Sequence, residues 1–248
     1  MIPIIRADLP TDVGNRMAVL TGEIRAVEPS GRAATARETW RRSSTRTDVT
    51  TPVRALLARM APGAERCMYC GDNQGTDIDH HEPLACNPLR TFDWLNHLLA
   101  CSHCNSHHKR DRYPVDDDGR PLLIDPSAED PFEHLLLSLS VGEYRPLTEK
   151  GTRSIEVFGL NRPILARGRL QAFAVVVMCL RQWREAERGS GLYEPDALSH
   201  IIREQPCADV CQAMLRQVES PGAAVVFRKV PEIVRVLRDP VVRRALLR

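Results

Sequence analysis

Two Cys-x-x-Cys pairs, Cys67–Cys70 and Cys101–Cys104, bracket a segment crowded with acid, amide and imidazole groups. Between and just after them lie Asp77-Ile-Asp79-His80-His81-Glu-Pro83, Asn96-His97, and Asn105-Ser-His107-His108-Lys109. Six of the eight histidines fall between positions 80 and 108, so the chemistry of the chain is concentrated in one stretch. Thiolates at this spacing reach a single ion, because a tight turn brings both sulfurs to about 2.3 Å from it. Two pairs together point to a closed four-sulfur Zn²⁺ site of structural character: Cys67, Cys70, Cys101 and Cys104. The insert of 30 residues is longer than the roughly 15–20 of simple ribbons, so the ion ties together the base of something larger.

Inside that clamp, the Asp79 carboxylate and the Asn105 carboxamide can offer two oxygens to a hard cation, Mg²⁺ or Mn²⁺, which keeps several waters of its own. His80, with an ordinary pKa near ~6.5, can take a proton from water at neutral pH. Lys109 and Arg110 stand next in sequence, where cations would hold phosphates. Together these groups point to hydrolysis of a phosphodiester, with the ion neutralising charge on the leaving oxygen.

To be positioned in this way, the residues need a strand over 76–81, a loop over 83–95, a second strand at Leu98–Ala100, and a helix from the second cysteine pair that carries Asn105, His108 and Lys109. This layout would set Asp79 and His80 on a strand facing Asn105. Asp79-His80, Asn96 and Asn105 in a four-cysteine frame resemble the HNH endonucleases of ββα-metal (His-Me finger) fold, over about residues 56–114. The resemblance implies His80 as general base, Asp79 and Asn105 as ligands of the catalytic metal, and Asn96 as the residue that braces the loop and orients the base. Two departures stand out. The position three residues after Asn105, often lysine in that family, is His108, with lysine at 109. This leaves open whether His108 meets metal or phosphate. His81 stands where a branched apolar residue is usual.

A looser resemblance joins Phe92-Asp93-Trp94-Leu95-Asn96, Arg112-Tyr113-Pro114, Ile124-Asp125-Pro126, Asp130-Pro131 and the stretch Thr152–Asn161 to HNH proteins of bacterial defence. The nuclease subunit of Septu-type anti-phage systems, which works with an ATPase, is the family named by it. That implies DNA cleavage held in check by a partner. RNA cleavage, tRNA included, and a non-catalytic zinc module binding nucleic acid or protein are the alternatives.

Around this core the chain reads as α+β, mainly α. Residues 1–50 form an N-terminal helical and basic arm, 51–140 the core, and 141–248 a C-terminal helical subdomain that could dock an ATPase or a second copy of the chain. Apolar spacing at Val13, Met17, Leu20 and Ile24 predicts a helix over 12–26. Residues 1–8 read as an apolar arm or short strand. From Glu28 to Thr51 the chain is polar and arginine-rich. It reads either as a basic helix or arm along a nucleic-acid backbone or as a solvated face or linker. Proline at a first helical position opens a helix at Thr51-Pro52. Phe132–Ser140 reads as strand or short helix. Helices are predicted from Ile164 to about Arg188, closed by Gly189-Ser-Gly191, and at 155–160, 195–204, 207–218, 230–237 and 240–247.

Net charge is only +2, which selects no partner by itself. Nearly all the basic residues are arginine, whose planar fork suits phosphate. The most apolar stretch, Leu170–Leu180, falls short of the ~20 residues of a membrane span. No signal-peptide pattern opens the chain. The expected setting is therefore cytoplasmic, where thiols stay reduced and serve as ligands or buried groups.

Overall fold

The computed structural model describes residues 1–247. Its elements run α1 (Thr11–Arg25), α2 (Arg32–Arg41), a turn α3 (Ser43–Thr45), α4 (Thr51–Met60), β1 (Asp77–His80), β2 (His97–Ala100), β3 (Leu135–Ser138), β4 (Glu143–Pro146), α5 (Glu149–Phe158), α6 (Pro163–Glu187), α7 (Pro195–Glu204), α8 (Ala208–Gln217), a turn α9 (Ala223–Val226), α10 (Ile233–Arg238) and α11 (Pro240–Leu246). Helix dominates, and the strands form two separate antiparallel pairs, β1–β2 and β3–β4. This is the mainly helical α+β class expected from the sequence.

The N-terminal third is more ordered than its polarity suggests. The stretch 28–51 is almost wholly helical, with a π-helical turn, Arg46–Thr50, leading into α4. Ala36 and Thr39 turn inward on α2, and Trp40 packs against the core, which is enough apolar surface to seat a polar helix. Residues 1–8 form no strand; they lie as an arm tied by Ile4 N–H to the Pro126 carbonyl at 2.7 Å. The undecided stretch 132–140 resolves into a 3₁₀ turn, Pro131–Glu133, followed by β3. Its partner β4 was not foreseen, since Glu143–Pro146 is half polar and buries only Tyr144.

Helix α6 corrects the sequence reading. Its 25 residues are long and apolar enough, by length and composition, to cross a membrane, because the apolar pattern continues on both sides of Leu170–Leu180. Here Leu165, Val176, Leu180 and Trp183 are buried, and α6 packs against α7, α8 and α10. A charge also sits in its buried face. Arg169 Nε donates to Asp209 Oδ2 at 3.0 Å, and Tyr144 OH donates to the same oxygen at 2.6 Å. Such a buried charge persists because it is paired and hydrogen-bonded. The buried apolar residues form one cluster from Met1 to Leu246.

Candidate functional site

The four cysteine sulfurs all lie within 4.8 Å of one another and are buried. Cys70 Sγ and Cys101 Sγ are 3.9 Å apart. A tetrahedral ion with bonds of about 2.3 Å needs sulfur–sulfur edges of about 3.8 Å, so the four residues fit zinc. Local backbone makes this possible. Gly71 takes a positive φ of 68° just after the first pair, and its N–H closes a turn on the Cys67 carbonyl at 2.8 Å. Cys101 is held down chiefly by hydrogen bonding from Cys104, whereas burial pushes Cys67 up. Two polar groups face the cluster from outside: Arg162 Nη1 and Nη2 point at Cys104 Sγ from 3.8 and 3.7 Å, and Asn73 Nδ2 at Cys101 Sγ from 3.8 Å.

Between the pairs, β1 and β2 align Asp77 with Ala100, Ile78 with Leu99, Asp79 with Leu98 and His80 with His97. Side chains alternate along a strand, so Asp77 and Asp79 share one face while Ile78 and His80 share the other. Asp79 and His80 therefore do not look out together on Asn105, as the sequence layout had them. They are divided by the pleat.

On the His80 face the ring is buried, its centroid 4.5 Å from that of Trp40 and 5.1 Å from that of His97, both in edge-to-face contact. His80 Nε2 lies 3.0 Å from the Thr91 carbonyl, and His97 Nε2 lies 2.9 Å from the same oxygen. A carbonyl only accepts, so both rings carry their proton on Nε2, and His80 Nδ1 keeps its lone pair. Burial pushes the His80 pKa down, against the opposing charge of Asp79. Asn96 fastens the loop that presents Thr91. Its Nδ2 donates to the Glu82 and Arg90 carbonyls at 2.9 and 3.0 Å, and its Oδ1 accepts from Glu82 N–H at 2.8 Å.

On the opposite face Asp79 is 3% exposed and Lys109 wholly buried. Lys109 Nζ donates to Asp79 Oδ1 at 2.9 Å and to the His80 carbonyl at 2.6 Å, while Tyr69 OH donates to Asp79 Oδ2 at 2.6 Å. Each carboxylate oxygen thus accepts a hydrogen bond, and the Lys109 ammonium occupies the place beside Asp79 where a second cation would stand. Lys109 likewise cannot reach a phosphate from inside the core, contrary to the role expected for it.

The segment that carries Lys109 explains its spacing. Residues His103–Lys109 form a π-helix, with Arg110 N–H reaching back five residues to the Asn105 carbonyl at 2.7 Å. A π turn holds one more residue than an α turn, so the fourth residue after Asn105 points where the third would in an α-helix. Asn105 itself sits with Asp77, its Nδ2 3.5 Å from Asp77 Oδ2, and both are only partly buried. A half-turn of the carboxamide would set its oxygen beside that carboxylate oxygen, so this pair could offer two oxygens to a hard cation. Sequence reasoning passed over Asp77; the two-residue spacing to Asp79 was the signal for it.

The remaining positions lie elsewhere. Arg110 is exposed, with Nε donating to the Ser106 carbonyl at 3.3 Å. His108 packs against the turn after α5, where Gly159 has φ 61° and a Cβ would come within 2.5 Å of the imidazole. His81 is buried beside Tyr113, ring centroids 5.7 Å apart at 90°, and its Nε2 has no hydrogen-bond partner among the described residues.

No family model matches the chain. It is 26% identical over 147 residues to Septu protein PtuB of Bacillus mycoides (strain KBAB4), an alignment covering 47% of this chain and 49% of that protein. The chain thus spans about half the length of the curated relative it matches. What the chain shares with a Septu protein is therefore a distant likeness over part of its length, alongside its own cluster of four buried cysteines.

Proposed function

We propose that the protein is a metal-dependent HNH-type endonuclease that hydrolyses phosphodiester bonds in DNA and serves in anti-phage defence. The observation that carries this reading is His80 with its Nε2–H committed to Thr91 and its Nδ1 left to accept a proton. The succession of two strands between the cysteine pairs and a helical segment running on from the second pair supports it, and the likeness to Septu protein PtuB supports the setting in defence.

In this reading His80 Nδ1 takes the proton of the attacking water, and Asn96 is a positioning residue that holds the Thr91 loop in place. Asn105 offers an amide oxygen to Mg²⁺ or Mn²⁺ and a β1 aspartate a carboxylate oxygen: Asp77 as it stands, Asp79 once Lys109 has been displaced. The ion, when bound, supplies charge neutralisation at the scissile phosphate. Zinc at Cys67, Cys70, Cys101 and Cys104 has no open position and only braces the hairpin. An ATPase subunit is the partner this reading brings with it.

The test is cleavage of supercoiled plasmid with Mn²⁺, by the protein alone and after co-expression with the product of a neighbouring ATPase gene. The wild type nicks the plasmid and His80→Ala does not, with zinc content equal in the two. Equal cleavage by His80→Ala overturns the assignment of the base, and cleavage of tRNA but not plasmid moves the substrate to RNA.

A further inference from the structure

We infer that the outer shoulder of α2, carrying Arg37 and Arg41, is a binding surface for the phosphate backbone of duplex DNA; this rests on the nuclease reading above. Trp40, on the inner side of α2, lies edge-on to His80 at 4.5 Å and near Phe92 at 5.6 Å. At about 100° per residue, Arg37 and Arg41 lie roughly 60° and 100° round the helix from Trp40, both on the same side. The helix that closes over His80 therefore turns two guanidinium groups outward beside that closure, and both are exposed.

The surrounding charges single out this pair. Arg42 takes up Glu23 at 2.7 Å and Glu38 at 3.7 Å, and Arg16 takes up Asp48 at 3.4 Å. Arg37 and Arg41 have no ion-pair partner among the described residues. Glu23, Glu38 and Asp48 already face Arg42 or Arg16, and across residues 16–48 seven arginines stand against four acids, so the charge left over is positive. Residues four apart on a helix are neighbours, so the two forks stand side by side, as successive phosphates of one strand require. Arginine suits that contact because its planar fork grips two phosphate oxygens at once. A backbone held here runs along the outside of the helix whose inward residue, Trp40, covers His80.

The experiment measures binding of a fluorescein-labelled DNA duplex by anisotropy in buffer free of divalent cations, from about 50 to 200 mM salt, with single-stranded RNA as a second probe. Each phosphate contact contributes about 0.9 to the slope of log K against log salt. Arg37→Gln/Arg41→Gln should lower that slope by about 1.8 and weaken duplex binding by about 60-fold at 0.1 M salt. Arg228→Gln/Arg244→Gln, one in the turn after α9 and one on α11, should leave the slope as in the wild type, and circular dichroism should be unchanged in both. Duplex binding with its full salt slope in Arg37→Gln/Arg41→Gln overturns the assignment of this face and leaves the hydrolytic reading standing. Binding of RNA alone overturns the duplex as ligand. Failure of the wild type to bind either nucleic acid overturns both this inference and the nuclease reading.

Discussion

Lys109 Nζ lies 2.9 Å from Asp79 Oδ1 with both side chains buried, and the same ammonium holds the His80 carbonyl at 2.6 Å. One cation thus fixes the carboxylate on one face of β1 and the backbone of the residue whose ring occupies the other. A buried pair broken on one side leaves a charge stranded in a medium that solvates it poorly, at a cost of about 3–5 kcal/mol. Lys109→Ala should lose about that much unfolding free energy in urea. Asp79→Asn/Lys109→Met should recover most of it, since neither residue is then charged. A Lys109→Ala protein as stable as the wild type would show that the pair contributes little.

Asn96 is joined to His80 through the loop that presents the Thr91 carbonyl, and on the proposed reading it positions the base. Asn96→Ala should lower kcat with little change in KM. It should also loosen the tautomer, so that nitrogen chemical shifts of the His80 ring move toward a mixture of Nδ1–H and Nε2–H forms. Unchanged ring shifts would leave Asn96 as a loop fastener with no hold on the base.

Burial lowers the pKa of His80, His81 and His97, most strongly for His97. A histidine whose folded pKa is depressed is neutral in the native state and binds its proton on unfolding. Its stabilising contribution is complete above the unfolded pKa of about 6.5 and declines as pH falls below it. Unfolding free energy should therefore drop between pH 7.5 and 5.5, and His97→Phe should show a smaller drop than the wild type. Equal drops in the two proteins would remove His97 from the titration.

Arg162 faces Cys104 Sγ while its Nη1 also donates to the Phe158 carbonyl at 2.9 Å. A zinc ion with four thiolates carries excess negative charge, and a guanidinium beside one sulfur offsets part of it. Arg162→Met should weaken zinc retention about tenfold against a chromogenic chelator. Cys101→Ser should lose the ion outright, with loss of cooperative unfolding. Equal zinc retention by Arg162→Met and the wild type would show that this guanidinium does not bear on the ion.

The cysteine cluster was legible because C-x-x-C spacing dictates geometry locally, and the helices were legible where apolar residues recur on one face, as at Val13, Met17, Leu20 and Ile24 of α1. The helical course of 28–51 was not, since its few inward residues (Ala36, Thr39 and Trp40) are too small or too scattered to show a period. The division between Asp79 and His80 follows from strand alternation alone, yet reading them as adjacent letters hid it. The sequence sets Lys109 beside Arg110 as a phosphate contact, and nothing in the letters signals burial, since lysine is rarely buried. Only the fold brings Asp79, Tyr69 and the His80 carbonyl to one point around it.

The wide coil at His103–Lys109 absorbs one residue without moving the ammonium at its end. Counted in turns, Lys109 lies where the third residue after Asn105 would lie on an ordinary α-helix. A deletion of one residue within 106–108 is a change this segment could absorb by tightening to an ordinary α-helical pitch.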